Sequence, residues 1–139
     1  MRFWDSSAIL ALLLREERSP ETLRVYREDV EQAVWCLTEV EIASALSRRV
    51  REGIEPDDER GARAQLGFLM THWMEITSLE SVRGRALRLL ATHSLRAADA
   101  LQLAAAIVSC DEQTDSLPFV CLDDRLADAA RKERFPVLP

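Results

Sequence analysis

Four acids placed at the edges of apolar segments hold the chemical promise of this chain. Asp5 directly follows Phe3-Trp4, and Asp123 follows Phe119-Val120-Cys121-Leu122. Glu41 and Asp99 each stand just inside an expected helix start, and Asp99 is followed by almost wholly apolar residues. An acid in such company has to be paired, hydrogen-bonded or metal-bound, because burying a free charge is costly. Three or four carboxylates converging on one edge would suit Mg²⁺ or Mn²⁺, hard cations that take oxygen ligands and keep several waters. Repulsion among the acids would favour cation uptake further. Each acid also has an ordinary reading. Asp5 fits a turn or cap, Glu41 a capping-box partner of Thr38, Asp99 a first-turn acid favoured by the helix dipole, and Asp123 beside Asp124 a charged loop. Glu39 competes with Glu41, and Asp124 with Asp123. Spacing alone leaves these alternatives open.

The elements that position these acids follow from periodicity and punctuation. Phe3 and Trp4 form a brief strand that stops at Asp5; Ser6 and Ser7 then cap a first helix running through Ala8 to Leu14. Ser19-Pro20-Glu21 starts a second helix with Ser as cap, Pro at its first position and Leu23, Tyr26 and Val30 as one apolar stripe. A second strand is expected over Ala33 to Leu37. The helix after it is opened by a Thr38 to Glu41 capping box and stops near Gly53. Pro56-Asp57-Asp58-Glu59 begins a further helix with Leu66, Leu69, Met70 and Trp73 on its apolar side. Met74 to Thr77 reads as a third strand and Glu80 to Thr92 as a helix; the strongest helix opens at Ala97-Ala98-Asp99. Asp111 to Ser116 is a polar loop, Phe119 to Leu122 a fourth strand, Leu126 to Arg131 helical, and Pro136 to Leu138 a last short strand. Strands alternating with helices predict an α/β fold with a largely parallel sheet covered on both faces. In such sheets ligands bind beyond the C-terminal strand ends, where Asp5 and Asp123 could meet.

Composition sets bounds on this reading. A chain of 139 residues is expected to form a single domain spanning 1–139, with a hydrophobic fraction of 47% and a charged fraction of 30% that argue against disorder. The net charge of −6, from 18 basic and 24 acidic residues, argues mildly against a nonspecific nucleic-acid coat. It is compatible with an acidic centre rimmed by arginines. Cys36, Cys110 and Cys121 lie far apart with no CxxC pair, as expected of buried thiols in a reducing compartment. His72 and His93 lack zinc-site spacing. The longest apolar run, Ala8 to Leu14, is too short to span a bilayer, and Asp5 precedes it, unlike a signal segment. A cytoplasmic location away from the membrane is expected.

The segments carrying the acids resemble those of the PIN-domain family, in particular the VapC-type toxins of bacterial and archaeal toxin–antitoxin pairs. The resemblance runs through Phe3-Trp4-Asp5-Ser6-Ser7-Ala8, Thr38-Glu39-Val40-Glu41-Ile42-Ala43-Ser44-Ala45-Leu46, Leu95-Arg96-Ala97-Ala98-Asp99-Ala100-Leu101-Gln102, and Phe119-Val120-Cys121-Leu122-Asp123-Asp124-Arg125-Leu126, with its tail Phe135-Pro136-Val137-Leu138. It covers nearly the whole chain, and its four ordered motifs are specific as a set. Two positions depart from the family pattern: Cys121 stands where Thr or Ser is usual, and Gln102 where His is frequent.

The resemblance implies a PIN-like three-layer fold and metal-dependent hydrolysis of RNA phosphodiesters. Asp5, Glu41, Asp99 and Asp123 would be catalytic, with Asp5, Asp99 and Asp123 as metal ligands for Mg²⁺, Mn²⁺ being possible. Glu41 would orient a metal-bound water or complete a weaker second site. Ser7 is a candidate partner of Asp5, with a plain helix cap as the alternative; Arg96 and Arg125 are candidate phosphate contacts, with solubilising arginines as the alternative. The cluster Arg48, Arg49 and Arg51 fits a solvated helix end or an attractor of RNA or an acidic partner. RNA, a cognate antitoxin protein and a second copy of the chain are the implied partners. Trp35, Leu46, Phe68 and Trp73 could line an antitoxin groove, although core packing also accounts for them. Two readings compete: a catalytically silent protein-binding module, and a nuclease of RNA or DNA processing outside a toxin pair. A phosphatase working through an aspartyl intermediate would need a DxD pair, and this chain has Asp5-Ser6-Ser7.

Overall fold

The computed structural model describes residues 1–139. Its elements run in the order β1 (Arg2–Trp4), α1 (Ser6–Leu13), α2 (Ser19–Glu28), β2 (Gln32–Trp35), α3 (Thr38–Arg51), α4 (Pro56–Met70), β3 (Met74–Ile76), α5 (Leu79–Thr92), α6 (Ala97–Ser109), β4 (Phe119–Val120), α7 (Asp124–Lys132) and β5 (Val137–Leu138), with one 3₁₀ turn at Thr114–Ser116. The five strands form one sheet in the order β3-β2-β1-β4-β5, and every neighbouring pair is parallel. The chain winds outward from β1 through β2 to β3, then returns to the other side of β1 to lay down β4 and β5. The order therefore reverses between β1 and β4, the place where an open α/β sheet leaves a crevice.

The period of two along the strands divides the core into two layers. Phe3, Ala33, Trp35 and Phe119 face α5, α6 and α7, while Trp4, Val34 and Val120 face α1, α3 and α4. Phe3 and Phe119 are paired in register across β1 and β4, and their rings stack with centroids 5.4 Å apart. Helix α6 is alanine-rich where it meets the sheet and α5. Ala100, Ala104, Ala105 and Ala106 are fully buried, and their small side chains let backbones approach closely.

Several local expectations change in the tertiary context. Val30 is 58% exposed, and the buried face of α2 is Thr22 and Val25, with Tyr26 edge-on to Trp4. Ser19 lies inside α2 and pins the preceding turn, donating to the Leu14 carbonyl at 2.8 Å and accepting from the Glu16 N–H at 2.9 Å. No capping box closes at α3, whose cap residue is Leu37 without a side-chain bond; Thr38 and Glu41 are engaged elsewhere. Of the four residues considered for an apolar groove, Trp35, Leu46 and Trp73 are core, and Phe68 alone is exposed, at 58%. No helix is long and apolar enough to cross a membrane.

Candidate active site

Asp5 ends β1 and caps α1. Its Oδ2 accepts from the Ser7 N–H at 3.0 Å and from the Ser7 hydroxyl at 2.5 Å, so the ordinary cap reading is true of one oxygen. The residue is only 3% exposed. The Ser7 hydroxyl also accepts from the Leu122 N–H at 3.0 Å, which ties the start of α1 to the chain leaving β4. Cys121, one residue past β4, brings its thiol to 3.7 Å from Asp5 Oδ2 and 3.9 Å from the Ser7 hydroxyl. A thiol donates weakly. Burial, with Asp5 next to it, pushes the Cys121 thiol well above its ordinary range.

Asp123 caps α7 in the same way, its Oδ1 accepting from the Leu126 N–H at 2.8 Å. In both aspartates one carboxylate oxygen serves the helix and leaves the other for a ligand. Asp99 sits in the first turn of α6, beyond the same sheet edge. Burial raises its pKa, the charge of Asp123 adds to that, and the nearby Arg96 and Arg125 oppose it. Asp5 is raised too, chiefly by burial and further by the charge of Asp99.

Glu41 projects from the first turn of α3 toward α1 and α6. Its Oε2 accepts from the Ser6 hydroxyl at 2.8 Å, and its Oε1 from the Gln102 amide at 3.1 Å. Gln102, fully buried on α6 one turn beyond Asp99, also donates to the Thr38 hydroxyl at 3.0 Å. Burial pushes Glu41 up to about 7, with the charges of Asp5 and Asp99 adding to the effect.

The four acids thus come from four separate segments and line one cleft of about 470 Å³ with Ser6, Ser7, Val40, Arg48 and Arg96. A second recess of about 400 Å³ adjoins it and is lined by Arg96, Asp99, Asp123, Asp124 and Arg125. A larger cleft, about 610 Å³, lies elsewhere, between the end of α1, the end of α3 and α4. Its Arg49 and Glu16 neutralise each other, whereas burial raises Asp5, Glu41 and Asp99 in the acid cleft and marks that cleft as the candidate site. Glu39 is exposed and lies outside that cleft, whereas Glu41 lines it; Asp124 lines the adjoining recess.

The donor set is all hard oxygen. No three of the acids stand close enough to clasp a bare ion between them. What they form is an open cluster of mutually repelling carboxylates, which fits a cation that binds through one or two carboxylates and retains water. Ser6 and Gln102 are the polar partners that spacing did not single out as supports of Glu41. Their signal was present only as a small hydroxyl beside Asp5 and as a buried amide on the same face of α6 as Asp99.

A parallel five-stranded sheet between helical layers, with acids gathered at its switch point, defines the PIN-like α/β fold. No protein-family model matches the sequence, and no curated protein does. Among solved structures the fold is shared with PAE2754 from Pyrobaculum aerophilum, at 21% identity over 92% of this chain and 78% of that one, with a TM-score of 0.62. It is also shared with FitAcB from Neisseria gonorrhoeae, at 13% identity over 100% of this chain and 97% of that one, with a TM-score of 0.68. At such identities the likeness establishes the fold.

Proposed function

We propose that this protein is a divalent-metal-dependent endoribonuclease of the PIN-domain family and the toxin of a VapC-type toxin–antitoxin pair. The observation that carries the reading is the convergence of Asp5, Glu41, Asp99 and Asp123, from four segments, on the switch point of the sheet. In this reading Asp5, Asp99 and Asp123 hold the cation, Mg²⁺ or Mn²⁺, Asp5 and Asp123 through the oxygen that each helix cap leaves free and Asp99 from the first turn of α6. A bound divalent cation supplies charge against that developing on the phosphate and activates water for attack.

The chain's own residues set the rest. Ser7 fixes the Asp5 carboxylate and ties the start of α1 to the chain leaving β4. Glu41, held between Ser6 and Gln102 and raised to about 7, is able to take up or hold a proton near neutral pH. Arg96 and Arg125 flank Asp99 and offset phosphate charge at the mouth. In the cell the same reading places the protein in the cytoplasm as a homodimer, with RNA as substrate and an antitoxin protein that obstructs the cleft.

A second reading, a catalytically silent module that binds protein, draws on two features. The acids do not close into a ligand set, and Cys121 offers Asp5 a thiol where a hydroxyl would hold it better. One experiment separates the two: cleavage of a mixed pool of structured RNAs by the wild type and by Asp99→Asn, in Mg²⁺, in Mn²⁺ and with EDTA. Metal-dependent cleavage that the variant loses is the expected result. No cleavage by the wild type, together with no shift of its melting temperature by either metal, would put the silent module ahead.

A further inference from the structure

We infer that a trough leaving the carboxylate cleft along α7 seats a single nucleic-acid strand, with Lys132 holding a phosphate remote from the bond that is cut. The inference rests on the nuclease reading above and adds the path its substrate takes.

Three concavities adjoin one another. The carboxylate cleft and the neighbouring recess share Arg96, Asp99 and Asp123. That recess in turn shares Arg125 with a hollow of about 150 Å³ between α7 and the link from α5 to α6, where Ser94, Ala129 and Lys132 line the wall. Arg125 and Lys132 lie seven positions apart, on one face of α7, and therefore stand roughly 10 Å apart along the helix axis.

None of the trough's cations is held by an acid. Elsewhere nine arginines form ion pairs with acids, while Arg15, Arg27, Arg51, Arg83 and Arg88 are unpaired but line no part of the trough. The trough's own cations, Arg48, Arg96, Arg125 and Lys132, form none, although the chain carries a net charge of −6 and offers acids in excess. The other titratable groups of the hollow are engaged: Asp128 binds Arg131 at 2.9 Å and His93 binds Glu133 at 2.7 Å. Arg125 and Lys132 are left as the free charges there. Asp124, at the first position of α7, belongs with the acids of the recess. A polyanion crossing the carboxylates thus meets Arg48 on one side and Arg125, then Lys132, on the other. A phosphodiester strand brings condensed cations that offset the acids beneath it, which an acidic protein segment does poorly.

The test is fluorescence anisotropy with a labelled single-stranded RNA of about twelve nucleotides, in Ca²⁺, titrated at several salt concentrations. Lys132→Gln and Arg125→Gln are each expected to weaken binding several-fold at low salt and to reduce the slope of log K against log salt by about 0.7, one phosphate contact on a single strand. Arg27→Gln, an equal loss of charge at an exposed and unpaired arginine on α2, is expected to change neither quantity. Tight binding by the wild type with Lys132→Gln behaving like Arg27→Gln would overturn the trough and leave the nuclease reading standing. No RNA binding by the wild type would overturn both. Loss of affinity by Lys132→Gln for a polyglutamate peptide but not for RNA would hand the trough to a protein partner.

Discussion

The Gln102 amide nitrogen stands 3.1 Å from Glu41 Oε1 and 3.0 Å from the Thr38 hydroxyl, in a place closed to solvent, while its own Oε1 has no partner. A buried polar side chain kept with half of its hydrogen bonds unmade is costly. Its two donated bonds link α6, which carries Asp99, to the first turn of α3, which carries Glu41. That link gives the acid cleft a support with no equivalent in local sequence.

Gln102→Leu removes the bonds to Glu41 and Thr38 together with the orphaned carbonyl. The two changes offset each other in stability, so a loss of no more than about 1 kcal/mol is expected by urea unfolding. RNA cleavage is expected to fall about tenfold, since Glu41 loses one of its two fixed partners. Full cleavage in a variant that has lost several kcal/mol would make Gln102 a packing residue and nothing more.

The pH dependence of the metal-free protein follows from its acids. Glu41 is raised from 4.5 to about 7, and Asp5 and Asp99 are raised as well. The folded state therefore holds protons that the unfolded chain releases. The stability associated with them is fully present below about 4.5 and is lost as pH rises through about 7. Melting in EDTA is expected to occur at lower temperature at pH 8 than at pH 6, and Glu41→Gln is expected to flatten the difference. A wild-type melting temperature that rises over this interval would contradict the assignment.

Cys121→Ser replaces a weak thiol donor near Asp5 with a hydroxyl. The shorter, stronger donor is expected to favour the ionised carboxylate and to lower the Mg²⁺ concentration needed for half-maximal thermal stabilisation several-fold. Ser7→Ala acts in the opposite direction. It deletes the bonds to Asp5 and to the Leu122 N–H, with an expected cost of about 1–3 kcal/mol in urea unfolding. Equal metal titrations for wild type and both variants would detach Asp5 from metal binding.

Phe119 is fully buried between Phe3 and Phe135, with ring centroids at 5.4 and 5.5 Å. Phe119→Ala opens a cavity at the pairing of β1 and β4, and a loss of about 3–5 kcal/mol is expected from calorimetry or urea unfolding. Because the same pairing brings Asp5 toward Asp123, metal affinity should fall with it even at temperatures where the variant remains folded.

The amino-acid sequence by itself determined where the elements lie and which acids sit at their ends. Those properties depend on neighbours in the chain: the apolar pairs before Asp5 and Asp123, the proline and acids opening α4, and the alanine-rich run after Asp99. Strand order, and with it the meeting of Asp5 and Asp123, came only from tertiary structure, because pairing of β1 with β4 joins segments distant in the chain. The same holds for Glu41. Its spacing from Thr38 pointed to a capping box, a local bond, but packing of α3 against α1 offered Ser6, and α6 offered Gln102, instead. Val30 continued the helical period of Leu23 and Tyr26 but fell beyond the end of α2, where periodicity no longer says which way a side chain points. Local patterns report propensity and a buried face; which partner a buried polar group finds depends on what the rest of the chain brings against it.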